Sequence, residues 1–513
     1  MNIRVLNKIS VALSAAFMCL GAVLAEEKPE RPKPERPNIV FLLVDDLGWA
    51  DLGCYGSTFH ETPNIDKLAE SGVRFTHAYA SGSVCTPTRV SILTGRNPVR
   101  VGVTDWIPGY KPHHFSDAHL VTPEIKGYLP AEEVTFAESL KEHNYQTYFV
   151  GKWHVSGWKK GENVTPTDQG FDVNIGGWQL GAPKGGYYSP WGNPTLKDPE
   201  KRTYLTEYLT DQSIDLIRNR DKEKPFILYH CYYAVHGPIE YHEGKKEYYD
   251  DKRRSKISGS ATNTEEKGFG VYSKSRQDNA AYATMVSAVD DSVGKIVKYL
   301  EDQGLMDNTY IIIGSDNGGV SVTFSSKDGG VTSNKPLRAG KGWLTEGGIR
   351  VPLIISGPGL KKGQVNHAKV ISTDFFPTIL DMANLPQRPE LHCDGQSMIP
   401  LMNGKKESIH DTLYWYYPHY TVQQWKPGSV ILDGDWKLIN FEHWGQIDLY
   451  NLKDDPSERN NLASVYPERV KQLKEKLDLW LKEMNAKPLR EMTAEELKEN
   501  KKMYEKWGIK EKP

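Results

Sequence analysis

Asn38–Asp46 reads Asn-Ile-Val-Phe-Leu-Leu-Val-Asp-Asp, a short unbroken apolar run that ends on two acids. With no alternation and too little length for a helix, it reads as a strand buried on both faces. Phe226–Tyr229 (FILY) and Tyr310–Ile313 (YIII) have the same character, and the second runs into Gly314-Ser315-Asp316-Asn317. Helical patterns lie between them, over Asn64–Ser71, Val134–His143, Tyr204–Asn219 and Ala280–Gln303. Strands alternating with helices predict an α/β fold with a large, mainly parallel sheet sandwiched by helices. Ligands of such sheets sit beyond the carboxyl ends of the strands. A single Asp after a strand is commonly a turn or helix cap. Two such pairs after two buried strands instead offer Asp45, Asp46, Asp316 and Asn317 as an all-oxygen donor set suited to a hard divalent cation.

Outward from this core, residues 38–400 read as one main domain, and the pattern changes after it. Asp433-Gly434 offers a hairpin turn, Trp436–Asn440 and Asp448–Leu452 alternate like strands, and Tyr466–Ala486 carries apolar residues at helical spacing. Residues 401–513 are therefore expected to form a smaller α+β subdomain with an antiparallel sheet. At the other end Arg4 and Lys8 precede apolar Ile9–Leu24 and the small residue Ala25. That order predicts a cleaved signal peptide at 1–25 and a periplasmic or secreted protein. Residues 26–37 (EEKPERPKPERP) read as an extended, solvated tether. The chain has 513 residues, 64 basic against 66 acidic, and a net charge of −2. That balance excludes the basic footprint of a nucleic-acid binder, and no run after residue 25 is long and apolar enough to span a bilayer. Beyond the signal peptide, Cys54, Cys85, Cys231 and Cys393 are too few for a disulfide scaffold. One or two bridges stay open, with no pairing derivable.

Ser83–Gly95 (SVCTPTRVSILTG) is the segment richest in chemistry. Pro87 suits the first turn of a helix and Gly95 its exit. Cys85 then sits at or just before the helix N-terminus, where backbone N–H groups and the dipole favour an anion. Arg89 follows one turn later. On spacing alone this is either an activated thiolate or a small buried residue ahead of a helix.

Cys85-Thr86-Pro87-Thr88-Arg89, with Leu93-Thr94-Gly95-Arg96, resembles the Cys-x-Pro-x-Arg signature of the formylglycine-dependent sulfatases, members of the alkaline phosphatase-like superfamily. Asp45-Asp46-Leu47-Gly48, Thr62-Pro63-Asn64-Ile65-Asp66, Gly151-Lys152-Trp153-His154, His236-Gly237-Pro238, Asp316-Asn317-Gly318 and Gly340-Lys341-Gly342 through Glu346-Gly347-Gly348-Ile349-Arg350-Val351-Pro352 are similar to the family in the same order. Asp448–Leu462 resembles its C-terminal subdomain.

The resemblance implies that a maturation enzyme oxidises Cys85 to an aldehyde whose hydrate supplies the attacking oxygen, and that the cation is calcium. It further implies Arg89 and Lys152 as fixed positive charges on sulfate, His236 and Lys341 as sources of the leaving-group proton, and His154 as the base that collapses the enzyme-bound sulfate ester. Histidine suits such work because its pKa lies near working pH. Trp106, His113 and His114 in one inserted loop and Trp178, with Tyr187 and Tyr188, in another are expected at a sugar-binding mouth, although loop aromatics also simply pack. The loops resemble those of bacterial carbohydrate sulfatases, often named arylsulfatases, which implies an exo-acting enzyme on sulfated galactose or N-acetylgalactosamine. Two readings stand beside it: a phosphodiester or phosphonate hydrolase of the same fold, and a sulfated-glycan-binding protein without turnover if Cys85 stays a thiol.

Overall fold

The computed structural model describes residues 35–109, 111, 115–259, 262–323 and 329–506. The expected signal peptide, most of the expected tether, His113 and His114 lie outside the described residues. Eight strands build the main sheet: β1 (Asn38–Val44), β2 (Val73–Tyr79), β3 (Gln146–Gly151), β4 (Val173–Ile175), β5 (Phe226–Cys231), β6 (Thr309–Ser315), β7 (Arg350–Ser356) and β8 (Gln364–Ile371). Their spatial order is β8-β2-β7-β6-β1-β5-β3-β4. All neighbours pair in parallel except β7, which runs against β2 and β6.

Burial on both faces explains the unbroken apolar runs. Ile39, Phe41 and Leu43 of β1 face one core with Val90, Ile92 and Leu93 of the helix Cys85–Thr94 and Phe376 and Ile379 of the helix Phe375–Met382. Val40, Leu42 and Val44 face the other, packed by the helices Pro63–Ser71, Leu205–Arg218 and Ala280–Asp302. Each such side chain contributes roughly 1.5–3 kcal/mol on burial. β7 hides its strand character behind Pro352, which sits where the β7–β2 register shifts, a position that tolerates the missing N–H.

Register aligns the strand ends. Val44 lies opposite Ser315, and Cys231 opposite both Leu43 and Gly151. The chain leaving β1, β3, β5 and β6 therefore emerges along one edge, and because β7 is reversed the segment entering it arrives at the same edge.

A separate four-stranded antiparallel sheet, β9 (Thr412–Tyr417), β10 (Gly428–Asp433), β11 (Trp436–Phe441) and β12 (Gln446–Asn451), lies towards the C-terminus. One of its faces packs on Tyr79, Val84, Trp343 and Ile349 of the main body. The other receives Leu473, Leu477 and Trp480 of the helix Pro467–Glu483. Glu35–Pro37, expected as the end of a solvated tether, are held by the fold: Asn384 donates to the Glu35 carbonyl, Arg36 to that of His143, and the Tyr145 hydroxyl to that of Pro37. Cys54, Cys85, Cys231 and Cys393 are all free thiols. Among the described residues no helix is long and apolar enough to cross a membrane.

Candidate active site

Asp45 and Asp46 leave β1, and Asp316 and Asn317 leave β6, on neighbouring strands. Carboxylate oxygens of Asp45, Asp46 and Asp316 lie within 4.8 Å of one another, and all three residues are buried. Asp46 adopts a left-handed backbone, φ 59°, which turns its side chain back over the strand ends. Its N–H donates to Asp316 Oδ1 at 3.2 Å, and its Oδ1 accepts from the Asn317 amide at 2.8 Å. Asn317 thereby spends its donor, and its Oδ1, like Asp45 Oδ1, is buried with no hydrogen-bond partner. Unpaired buried acceptors are costly. Orphaned oxygens converging on three carboxylates fit a hard divalent cation.

Cys85 opens its helix directly after the extended residue Val84, and Gly95 closes it at φ 64°, where a Cβ would strike His392. Arg89 thus points from the second turn under the strand ends. Its Nε donates to Asp316 Oδ2 at 2.9 Å, and another guanidinium nitrogen to the Lys152 carbonyl at 2.8 Å. Gly151 ends β3 at φ 99° with no room for a Cβ, which would lie 1.9 Å from the Cys231 carbonyl oxygen. This close approach lets Lys152 N–H reach that oxygen at 2.7 Å and sends Lys152 Nζ to Asp45 Oδ2 at 2.6 Å. His154, again left-handed at φ 57°, turns its ring to Cys85, with Nδ1 3.2 Å from Sγ.

The site is electrically balanced. Asp45, Asp46 and Asp316 face Arg89, Lys152 and Lys341, all buried. Lys341, in the segment entering β7, places Nζ 2.6 Å from Asp46 Oδ1. Burial opposes ionisation of Asp46, but Lys341, His236 and Lys152 outweigh it and hold the carboxyl well below its usual range. Burial likewise opposes charge on Asp316, and Arg89 and Lys152 hold it low. Asp45 is different: burial pushes it up, and Lys152 only partly offsets this. Burial also works against the Lys341 ammonium, but Asp46 overrides it and raises the pKa. Burial, with Lys341, pushes His236 down to about 3. Of these two groups, Lys341 is the one that carries a proton at neutral pH.

The structure gathers Cys85, Arg89, Lys152, His154, His236 and Lys341 around the carboxylates. His236 Nε2 lies 3.8 Å from Asp46 Oδ2. The expected sugar-binding aromatics divide. Trp106 is half-buried beside His154, with ring centroids 6.3 Å apart. Trp178 packs against the second core, and its carbonyl accepts the His154 N–H at 3.2 Å. Tyr187 is fully buried, its hydroxyl donating to the Tyr233 and His236 carbonyls, so its part is packing. Tyr188 is half-buried under the Arg202 guanidinium.

Sequence reasoning missed the supports. Ser315 accepts from Leu47 N–H at 3.1 Å. Asp51, fully buried, accepts from Gly48 N–H, Tyr282, Thr332 and Gln277, tying the metal loop to its neighbours. The Ile107 carbonyl meets His154 Nε2 at 3.0 Å. Apart from Gly48, the partners of Asp51 named here lie more than two hundred residues away in sequence, beyond the reach of any local pattern.

The sulfatase profile matches residues 37–385, most of the chain. The chain belongs to the sulfatase family. A second profile, N-sulphoglucosamine sulphohydrolase, C-terminal, matches residues 339–487 and so covers the antiparallel sheet. N-acetylgalactosamine-6-sulfatase of Rattus norvegicus is 32% identical over 440 residues, spanning 80% of this chain and 74% of that protein. Arylsulfatase A of Homo sapiens is 30% identical over 512 residues, 90% of this chain and 89% of that one. Among solved structures, Ps i-CgsB superposes with TM-score 0.68 at 27% identity, covering 87% of this chain and 92% of its own. This sulfatase is accordingly a sulfuric ester hydrolase, with the alkaline phosphatase-like fold.

One pH dependence follows from the site. Burial, with the Lys152 and Arg89 cations, holds His154 well below the ordinary 6.5. A base depressed in this way stays neutral as pH falls through 6.5. If His154 is the base that releases sulfate from residue 85, the acid limb of kcat is expected below the ordinary histidine range. A limb at or above that range in a pH–rate profile refutes it.

Proposed function

We propose that this sulfatase is an exported enzyme that removes sulfate from the ends of glycans, acting on sulfated galactose or N-acetylgalactosamine through an aldehyde made from Cys85. The observation that carries the reading is the placement of Cys85 against His154 Nδ1, beside three buried carboxylates paired with Arg89, Lys152 and Lys341. Asp45, Asp46, Asp316 and Asn317 would hold a calcium ion, which when bound offsets sulfate charge and polarises sulfur. The hydrated aldehyde, formed by a maturation enzyme, supplies two hydroxyls at residue 85.

The chain's own groups then divide the work. Arg89 and Lys152 hold the hydrate and the sulfate oxygens as fixed charges. The Lys341 ammonium donates its proton to the sugar oxygen as the sulfur–oxygen bond to the sugar breaks and the first hydroxyl oxygen, whose proton passes to one of the neighbouring carboxylates, bonds to sulfur. His154 Nδ1 takes the proton of the second hydroxyl as the carbon–oxygen bond to sulfate breaks, which leaves the carbonyl and free sulfate. The likeness to N-acetylgalactosamine-6-sulfatase supports the galactose-type preference, and Ps i-CgsB, solved with k-i-k-neocarrahexaose bound, supports a glycan substrate. The charge and apolar pattern of Met1–Ala25 supports export.

Two experiments test this. Chelation is expected to abolish turnover and lower Tm, and calcium to restore both, since a ligand at a hundred times its Kd stabilises by about 2.7 kcal/mol. Chelated enzyme with unchanged Tm and rate removes the metal from the mechanism. Sulfate release is then measured on defined sulfated sugars, with enzyme made alongside its maturation partner. Release confined to galactose-configured sugars is the expected result. Release only from glucosamine or uronate types overturns the substrate, and hydrolysis of phosphonate or phosphodiester esters alone overturns the reaction.

A further inference from the structure

His154 is held by two contacts of different kinds. Its Nε2 lies 3.0 Å from the Ile107 carbonyl oxygen, and its Nδ1 faces residue 85. A carbonyl can only accept, so Nε2 carries the proton of the neutral ring, and the lone pair is left on Nδ1. Ile107 thus selects the tautomer that can act as a base towards residue 85.

What holds Ile107 comes from two directions. Its N–H donates to the Thr86 hydroxyl at 3.3 Å, and that hydroxyl donates to the His154 carbonyl at 3.0 Å. The rest comes from the second sheet. Tyr417, the last residue of β9, donates its hydroxyl to Asp105 Oδ1 at 2.5 Å, the oxygen that also accepts Trp106 N–H at 2.8 Å. His419, just beyond β9, places Nε2 2.8 Å from the Thr104 hydroxyl. Tyr417, His419 and Asp105 are all buried. Buried polar contacts of this kind fix geometry because leaving either partner unpaired costs about 1–3 kcal/mol.

We propose that Tyr417 and His419 are positioning residues: by pinning Thr104 and Asp105 from the C-terminal sheet, they fix the Ile107 carbonyl that sets the His154 tautomer, and so control the loss of sulfate from residue 85. The inference rests on the reading of His154 as the base for that step. The antiparallel sheet then has a catalytic part although it contributes no side chain to the reacting atoms.

The test compares aldehyde-bearing wild type with Tyr417→Phe, Thr104→Val and His154→Ala, using 4-methylumbelliferyl sulfate and N-acetylgalactosamine 6-sulfate. Quenched reactions are digested, and the Phe75–Arg89 peptide is weighed for sulfate retained on residue 85. Tyr417→Phe and Thr104→Val are expected to lower kcat at least about tenfold, a fraction of the 10²–10⁴ of general base catalysis. They are also expected to accumulate the sulfated peptide, as His154→Ala does, with Tm close to wild type. A purely structural role slows turnover without loading residue 85. If His154→Ala loads residue 85 and the other two variants do not, the positioning role is refuted while the base stands. If His154→Ala does not load it either, the reading of His154 fails, and this inference with it.

Discussion

Cys85→Ser, with serine at residue 85 verified by mass, is expected to stop multiple turnover, lowering kcat by more than about 10³-fold, the scale of losing a covalent nucleophile. The side chains are nearly isosteric, and the Ser hydroxyl can occupy the place of the thiol 3.2 Å from His154 Nδ1, so folding and metal binding should survive. The chemistry should not. A single hydroxyl can take sulfate from the substrate but has no second proton to surrender, so His154 has nothing to abstract and sulfate stays on the protein. One equivalent of sugar released per chain, with the Phe75–Arg89 peptide heavier by one sulfate, is the expected signature. Sustained turnover by the serine enzyme at a rate near wild type is incompatible with a two-hydroxyl nucleophile. The same peptide reports the native state, because the aldehyde form is lighter than the thiol form.

The parts of this fold that were legible are those where one force dominates locally. β1 and β6 announce themselves because both faces are buried, which leaves Asp45, Asp46, Asp316 and Asn317 as the first polar residues past the strand ends. The helix Cys85–Thr94 was legible from Pro87 and Gly95. Lys341 was not legible physically. Without family resemblance it is a lysine in a glycine-rich loop, and only β7, running against its neighbours, carries it to the metal edge. The Asp45 and Asp46 environments show the same limit. Adjacent in sequence, they are pushed in opposite directions, because Lys341 and His236 reach Asp46, whereas burial dominates at Asp45. Ile107, Tyr417 and His419 were invisible because their contacts span tens to hundreds of residues, and no local period encodes them. Tyr187 reversed expectation for a related reason: lying between glycines in a loop says nothing of which way a ring turns.

Lys152→Met should show how closely catalysis and stability are joined here. The substitution keeps an unbranched stem of similar length and leaves the backbone contacts of Lys152 with Cys231 and Arg89 in place. It removes the ammonium that touches Asp45 at 2.6 Å and leaves, as its ion-pair partner among the described residues, the Arg89 guanidinium 3.9 Å away. Breaking a buried pair from one side costs about 3–5 kcal/mol, and a lost fixed charge in the reacting pocket costs about 10²–10³ in kcat. The stability loss should depend on pH. Asp45 is already raised by burial beside Asp316 and Asp46, and without Lys152 it is raised further. A carboxyl raised in the folded state favours folding when protonated and loses that contribution as pH rises through its folded pKa. Metal-free Lys152→Met should therefore approach wild-type Tm under acidic conditions and fall away from it as pH increases. Calcium should recover much of the difference, since a divalent cation replaces the missing charge at the same oxygens, but it should not recover kcat, because the Lys152 ammonium that holds the sulfate oxygens is gone. A constant Tm deficit from acid to alkaline pH would place the damage in packing and not in the Asp45 charge, and recovery of kcat with calcium would remove Lys152 from the reaction.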